Sequence, residues 1–106
     1  MVPELKRLSK EGVAAALVRA DRYRLLSEPG EAESICLDVL EVEPDNQKAL
    51  VTLLLALTEQ FGQDEASHAG RAREVLPKLH DEYLRRYYAG IICERWAKAH
   101  LVLALT

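Results

Sequence analysis

Apolar residues recur in this sequence at a shift of 34 residues, and this internal period limits the chain to folds built from repeated units. Val13, Gln47 and Asp81 begin three segments separated by that shift. The matching positions within the segments are apolar and lie at helical spacing. The three aligned columns are Ala16, Leu50 and Leu84; Ala20, Leu54 and Tyr88; and Tyr23, Leu57 and Ile91. The sequence therefore predicts equivalent helices that pack one after another.

Glycine and proline are scarce, and they fall where helices are expected to end. The 106 residues contain five glycines and four prolines, whereas the abundant alanine, leucine, glutamate and arginine favour helix. We therefore predict an all-α fold in a single domain, 1–106, with no strands. The predicted helices span about 4 or 10 to 27, 29–43, 46–61, 64–76 and 81–104.

The first segment resembles the tetratricopeptide repeat family, whose unit is an antiparallel helix pair. Ala20 stands at the family's small residue, Tyr23 at its aromatic, Ala32 at the alanine of the second helix and Pro44 at its closing proline. The resemblance implies helix pairs over about 10–43 and 46–78, a final helix over about 81–104, and a right-handed superhelix of about five helices.

The resemblance weakens along the chain. Gly70 and Arg73 stand where the second unit should be apolar, and Lys78 replaces the closing proline, which comes one position early. The fourth helix is therefore expected to be shifted or shortened. In the third unit Ala89 and Gly90 could form the close-packing pair, which would move the register by two. An unrelated helical bundle has the same periodicity and remains the alternative fold.

In the tetratricopeptide family the first helices of successive units line a groove that holds an extended peptide or a partner helix. Mapped onto this chain, the groove residues are Leu17, Asp21, Arg24, Val51, Thr52, Leu55, Thr58, Arg85 and Arg86. One subgroup of the family binds the C-terminal carboxylate of its partner and needs Lys and Asn at three positions. Those positions hold Leu17, Asp21 and Thr52 here, so binding of a C-terminal tail is not implied. The resemblance implies a protein–protein interaction module or scaffold that is not an enzyme.

The last predicted helix has apolar residues on two sides, which one neighbouring helix could not cover. Leu84 and Ile91 share one side, and Ile92 and Trp96 share another. The final six residues carry no charge. We expect a partner here, and a second copy is an economical one because a symmetric patch closes on itself. The residues predicted to join a homodimer are Trp96, Leu101 and Leu103.

No group of reactive side chains predicts catalysis or metal binding. The histidines and cysteines include no close pair such as Cys-x2-Cys or His-x3-His, so we predict no metal site and no cofactor. Cys93 and His100 share a helix face but are separated by about 10 Å of helical rise. The alternative function is a small helical enzyme or small-ligand carrier, with a pocket near Cys93, Trp96 and His100.

Charge and hydropathy limit the classes of partner. The formal net charge is −3, so no global positive field attracts nucleic acid. Four arginines form a local basic cluster that could meet an acidic segment of a partner protein. No apolar run is long enough to span a membrane and no secretory leader is recognisable, so we predict a cytoplasmic protein without a membrane partner. The four arginines are Arg71, Arg73, Arg85 and Arg86.

Overall fold

The computed structural model describes residues 9–62 and 65–105, apart from the side chains of residues 10, 65, 66 and 103. Within these ranges the chain is all-α, as predicted, and each helix begins and ends within three residues of its predicted bounds. The first helix begins at the later of its two predicted starts. The helices are α1 (Lys10–Leu25), α2 (Pro29–Val42), α3 (Gln47–Thr58), α4 (Glu65–Val75) and α5 (Glu82–Leu105), with a 3-10 turn at Leu76–Lys78.

Short polar side chains and one proline fix where the helices begin. Ser9, Asn46 and Asp81 each accept a hydrogen bond from the backbone N–H three residues further on, at 3.0, 2.9 and 3.0 Å. Each bond satisfies a donor that the first turn of a helix leaves without an intrahelical partner. Pro29 begins α2 instead, because its fixed φ suits the first turn and its missing N–H is not needed there.

The chain after α4 departs from the repeat pattern in the region where the sequence predicts a shift. α4 ends at Val75, and the following 3-10 turn contains Pro77 near its start, where proline is tolerated. Gln47 holds this turn against the start of α3. Its amide donates to the Lys78 carbonyl at 3.3 Å and accepts from the His80 N–H at 2.9 Å.

α1, α3 and α5 lie side by side and run in the same direction. Gln47 joins the beginnings of α3 and α5, and Arg95 of α5 donates to Thr58 Oγ1 at the end of α3 at 2.6 Å. Arg24, near the end of α1, bonds Glu59 just after α3. α2 packs against α1 and α3, while α4 packs against α3 and α5. The helices thus form two layers, one of α1, α3 and α5 and one of α2 and α4.

α3 supplies more of the hydrophobic core than any other helix, and small residues of its neighbours pack around it. Because alanine is small, it lets two helices approach closely. The residues of the three aligned columns are buried or half-buried. The three that lie in α5, Leu84, Tyr88 and Ile91, are only half-buried. The buried residues that form the main cluster with α3 include Ala20, Ala32, Cys36, Phe61, Ala69, Ala72, Leu79 and Ile92.

Truncation of a core leucine in α3 should destabilise the whole fold. For Leu54→Ala we expect the free energy of unfolding to fall by about 2–5 kcal/mol, from lost apolar burial and the cavity left behind. Leu25→Ala is the matched control. Because Leu25 is 86% exposed, its truncation should change the free energy of unfolding by less than about 0.5 kcal/mol. Urea denaturation followed by circular dichroism measures both. Equal losses would contradict the central position of α3.

Candidate partner-binding face

The α1, α3 and α5 layer has one side that points away from α2 and α4. We call it the α1–α3–α5 face. α3 is buried on every side except for a strip whose members recur every three or four residues, Lys48, Val51 and Leu55, and Glu59 continues this strip just after the helix ends. The face is completed by residues of the two flanking helices at compatible spacing, Val18, Asp21, Arg24 and Leu25 of α1 and Ile91 and Arg95 of α5.

The centre of the face is apolar. Val51 and Leu55 are half-buried and lie on the same side of α3, one turn apart. On α1, Val18 and Leu25 are separated by two turns and are 52% and 86% exposed. Apolar side chains with accessible area on one side of a folded domain are typical of a surface that binds another protein.

Polar contacts hold the three helices together at the end of the face where α3 ends. The Arg24 guanidinium donates to both carboxylate oxygens of Glu59, at 2.9 and 3.2 Å, and lies 3.8 Å from Asp21. Thr58 Oγ1 accepts from Arg95 and donates to the Leu55 carbonyl at 2.8 Å. These bonds fix the relative positions of α1, α3 and α5, so the apolar centre is presented on a rigid frame.

Two open depressions border the face. One has a volume of about 510 Å³ and lies between the first half of α1 and the start of α3, with Leu17, Val18 and Lys48 among its lining residues. The other has a volume of about 340 Å³ and lies between the end of α3 and the second half of α5. Its lining is mostly apolar and includes Phe61 and Val102. A partner that crosses the face could insert a side chain into either.

The structure distributes the predicted groove residues over different environments. Leu17 and Thr52 are buried, with 4% and 3% of their surface exposed, although Leu17 still borders a depression. The residues that lie on the face as defined above are Asp21, Arg24, Val51 and Leu55, whereas Thr58 is buried beneath it and bonded to Arg95.

Arg85 and Arg86 do not lie on the face. Arg85 donates to the carbonyls of Leu79 and His80 at 2.6 and 2.9 Å, so it caps the turn before α5. Arg86 is nine residues from Arg95, which puts the two on opposite sides of a helix with 3.6 residues per turn. The sequence did not indicate Arg95, because neither register of the third unit maps a predicted groove position onto it.

The four arginines predicted to meet an acidic partner all have partners within the chain. Arg71 pairs with Glu33, the Arg73 guanidinium lies 5.7 Å from the centre of the Trp96 ring, and Arg85 bonds backbone carbonyls. Arg86 pairs with Glu82 at 2.9 Å. The local basic cluster thus joins helices and turns of its own chain. An acidic partner would have to compete with these contacts.

The alternative prediction placed a pocket near Cys93, Trp96 and His100. Cys93 is exposed, and the Trp96 and His100 rings lie 4.3 Å apart at the edge of the core. Neither depression described above is lined by any of these three residues. Among the described residues, no group of three or more histidine, cysteine or carboxylate side chains could hold a metal ion.

The residues predicted for self-association also differ in environment. Trp96 is half-buried and packs edge-on against Phe61, with ring centres 5.7 Å apart, so it belongs to the chain's own core. Leu101 is 60% exposed. The side chain of Leu103 lies outside the described residues.

Comparison with known proteins adds no relative: no family model, curated protein or solved structure matches this chain. In the part of the chain that the structure describes, no helix has both the length and the apolarity needed to cross a membrane.

The two cysteines should differ sharply in reactivity. Burial raises the pKa of the Cys36 thiol to about 12, and the negative charge of Asp21 adds to this shift. Since the thiolate is the reactive form, Cys36 should stay unreactive at about pH 8, whereas exposed Cys93 should be modified quickly. Titration with a chromogenic disulfide should therefore detect one thiol in the native protein and the second only after unfolding. Equal rates for both would contradict the burial of Cys36.

Proposed function

We propose that this chain is a protein–protein interaction module of tetratricopeptide-like architecture, a right-handed superhelix of helix pairs that binds a segment of a partner protein on the α1–α3–α5 face. The observation that carries the proposal is the apolar strip of Val51 and Leu55, flanked by exposed Val18 and Leu25. The parallel arrangement of the first helices of each unit, and the small residues between layers, support the architecture.

The physical basis for binding is the cost of leaving apolar surface in water. Covering Val51, Leu55, Val18 and Leu25 removes apolar area from solvent. The free energy of this removal is favourable by about 25 cal/mol per Å². The bonds of Arg24 with Glu59 and of Arg95 with Thr58 keep the helices in place beforehand, which reduces the entropy lost on binding. A few central apolar contacts of this kind usually supply most of the affinity of an interface.

The chemistry of the face indicates the kind of segment it would bind. Its centre is apolar, while Lys48 lies at one end of the α3 strip and Glu59 at the other. A partner helix or extended peptide with apolar side chains at its centre and charges at its two ends would complement it. In this proposal the partner is another cytoplasmic protein, and no cofactor or metal takes part.

A photoreactive amino acid can locate the contact directly. With the crosslinking residue at position 55, we expect a covalent adduct with a partner protein when the chain is expressed in its native cells. The matched control is position 37, because Leu37 is likewise a leucine within a helix and is 41% exposed, but it lies on α2 in the other layer. Gel shift and mass spectrometry would identify the adduct. Equal adducts from both positions would contradict binding at this face.

Substitution then measures how much the strip contributes. Val51→Glu together with Leu55→Glu should weaken binding of the identified partner at least about tenfold, because both carboxylates would be desolvated in an apolar contact. Leu37→Glu should leave the affinity unchanged. Isothermal titration calorimetry gives the dissociation constants, and circular dichroism verifies that each variant is folded. An unchanged dissociation constant in the double variant would refute the proposal.

A further inference from the structure

α5 has a solvent-exposed side that no helix of this chain covers in the part that the structure describes. Tyr83 and Tyr87 are 72% and 51% exposed, and their rings stack with centres 6.4 Å apart and planes at 17°. Gly90, Glu94 and Ala97 continue the same side of the helix and are also exposed. We call this surface, from Tyr83 to Ala97, the outer face of α5.

Gly90 marks the middle of the outer face. A Cβ atom built there would meet nothing within 4 Å, so the packing of this chain does not require a glycine at this position. Glycine inside a helix lowers helix stability, because it loses more conformational freedom than any other residue. The missing side chain leaves a notch between Tyr87 and Glu94, in which the backbone of another helix could approach closely.

The charges on the outer face and at its two flanks are arranged antisymmetrically about Gly90. Glu82, Arg86, Glu94 and Lys98 lie at steps of four residues from it, in the order negative, positive, glycine, negative, positive. Within the helix they form two ion pairs, Arg86 with Glu82 at 2.9 Å and Lys98 with Glu94 at 3.5 Å. When the helix is read in the opposite direction, each negative residue therefore falls where a positive one was, and each positive residue falls where a negative one was.

We propose that the outer face of α5 binds the same face of a second copy, antiparallel, with the two-fold axis at Gly90. This pairing brings Arg86 of each copy opposite Glu94 of the other, while Glu82 and Lys98 lie at the two flanks, since they are sixteen residues and therefore about 160° apart around the helix. Each Tyr83 then lies over Ala97 of the other chain, so that a large residue meets a small one. A parallel pairing would bring like charges together, which is unfavourable.

The charges select the orientation and the apolar residues supply the affinity. Exposed ion pairs contribute little to stability and are screened by salt, so Arg86 and Glu94 act mainly against wrong partners and wrong registers. The stacked tyrosines and the notch at Gly90 provide the area removed from water. The proposal goes beyond the binding of a partner on the α1–α3–α5 face and can be tested without that partner.

Charge reversal tests the pairing in solution. Sedimentation velocity of the wild type at rising concentration should reveal a monomer–dimer equilibrium. Arg86→Glu alone and Glu94→Arg alone should each weaken the homodimer at least about tenfold, because like charges then face each other. An equimolar mixture of the two variants should dimerise like the wild type, since every facing pair is again opposite in sign. Asp38→Arg, an exposed charge reversal on α2, is the control and should have no effect.

Substitution of Gly90 provides a second test, in which the dimer should weaken while the monomer does not. Gly90→Gln should fill the notch and weaken the dimer at least about tenfold, while the melting temperature of the monomer stays equal or rises. Gly70→Gln is the matched control, because Gly70 also lies inside a helix with nothing within 4 Å of a Cβ. It should not alter dimerisation.

Three results would overturn the proposal. The first is a wild type that remains monomeric at high micromolar concentration, which would leave the outer face to a further protein segment or another partner. The second is a dimer that neither Gly90→Gln nor the charge reversals affect. The third is a mixture of Arg86→Glu and Glu94→Arg that fails to recover the wild-type dissociation constant.

Discussion

The burial of α3 is the constraint on which the rest of the structure depends. α3 contacts α1, α2, α4 and α5, and eight of its twelve residues are buried. Its nearly continuous apolar sequence can avoid water only if neighbours cover almost its whole circumference. Each of the other helices therefore packs part of its buried side against α3, although α1 packs mainly against α2.

Two consequences of this arrangement bear on function. The strip of α3 that remains accessible is narrow, so a partner there would meet mainly Val51 and Leu55. α5 has 24 residues against twelve in α3, which means that α3 can cover only part of its length and one of its sides. The surfaces available for binding are therefore the parts that α3 leaves uncovered. One is the α1–α3–α5 face and the other is the outer face of α5.

The candidate site could be predicted only in part. Asp21, Arg24, Val51 and Leu55 follow from the 34-residue alignment, because α1 and α3 lie side by side and run in the same direction. Arg85 and Arg86 do not, because Pro77 forces a 3-10 turn before α5 and Arg85 bonds the carbonyls of the residues that follow the turn. The charged pattern about Gly90 was present in the sequence, but nothing there indicated that this side of α5 faces solvent.

The sequence by itself determined that the part of the chain that the structure describes is all-helical and, to within three residues, where each helix begins and ends. Those properties depend on local chemistry: Asn46 and Asp81 cap helices with their own side chains, and Pro29 and Pro77 restrict the backbone beside them. Only the tertiary structure decided which side of each helix is covered. Helical periodicity tells which residues share a side, whereas burial depends on neighbours distant in the chain, such as Thr58 against Arg95.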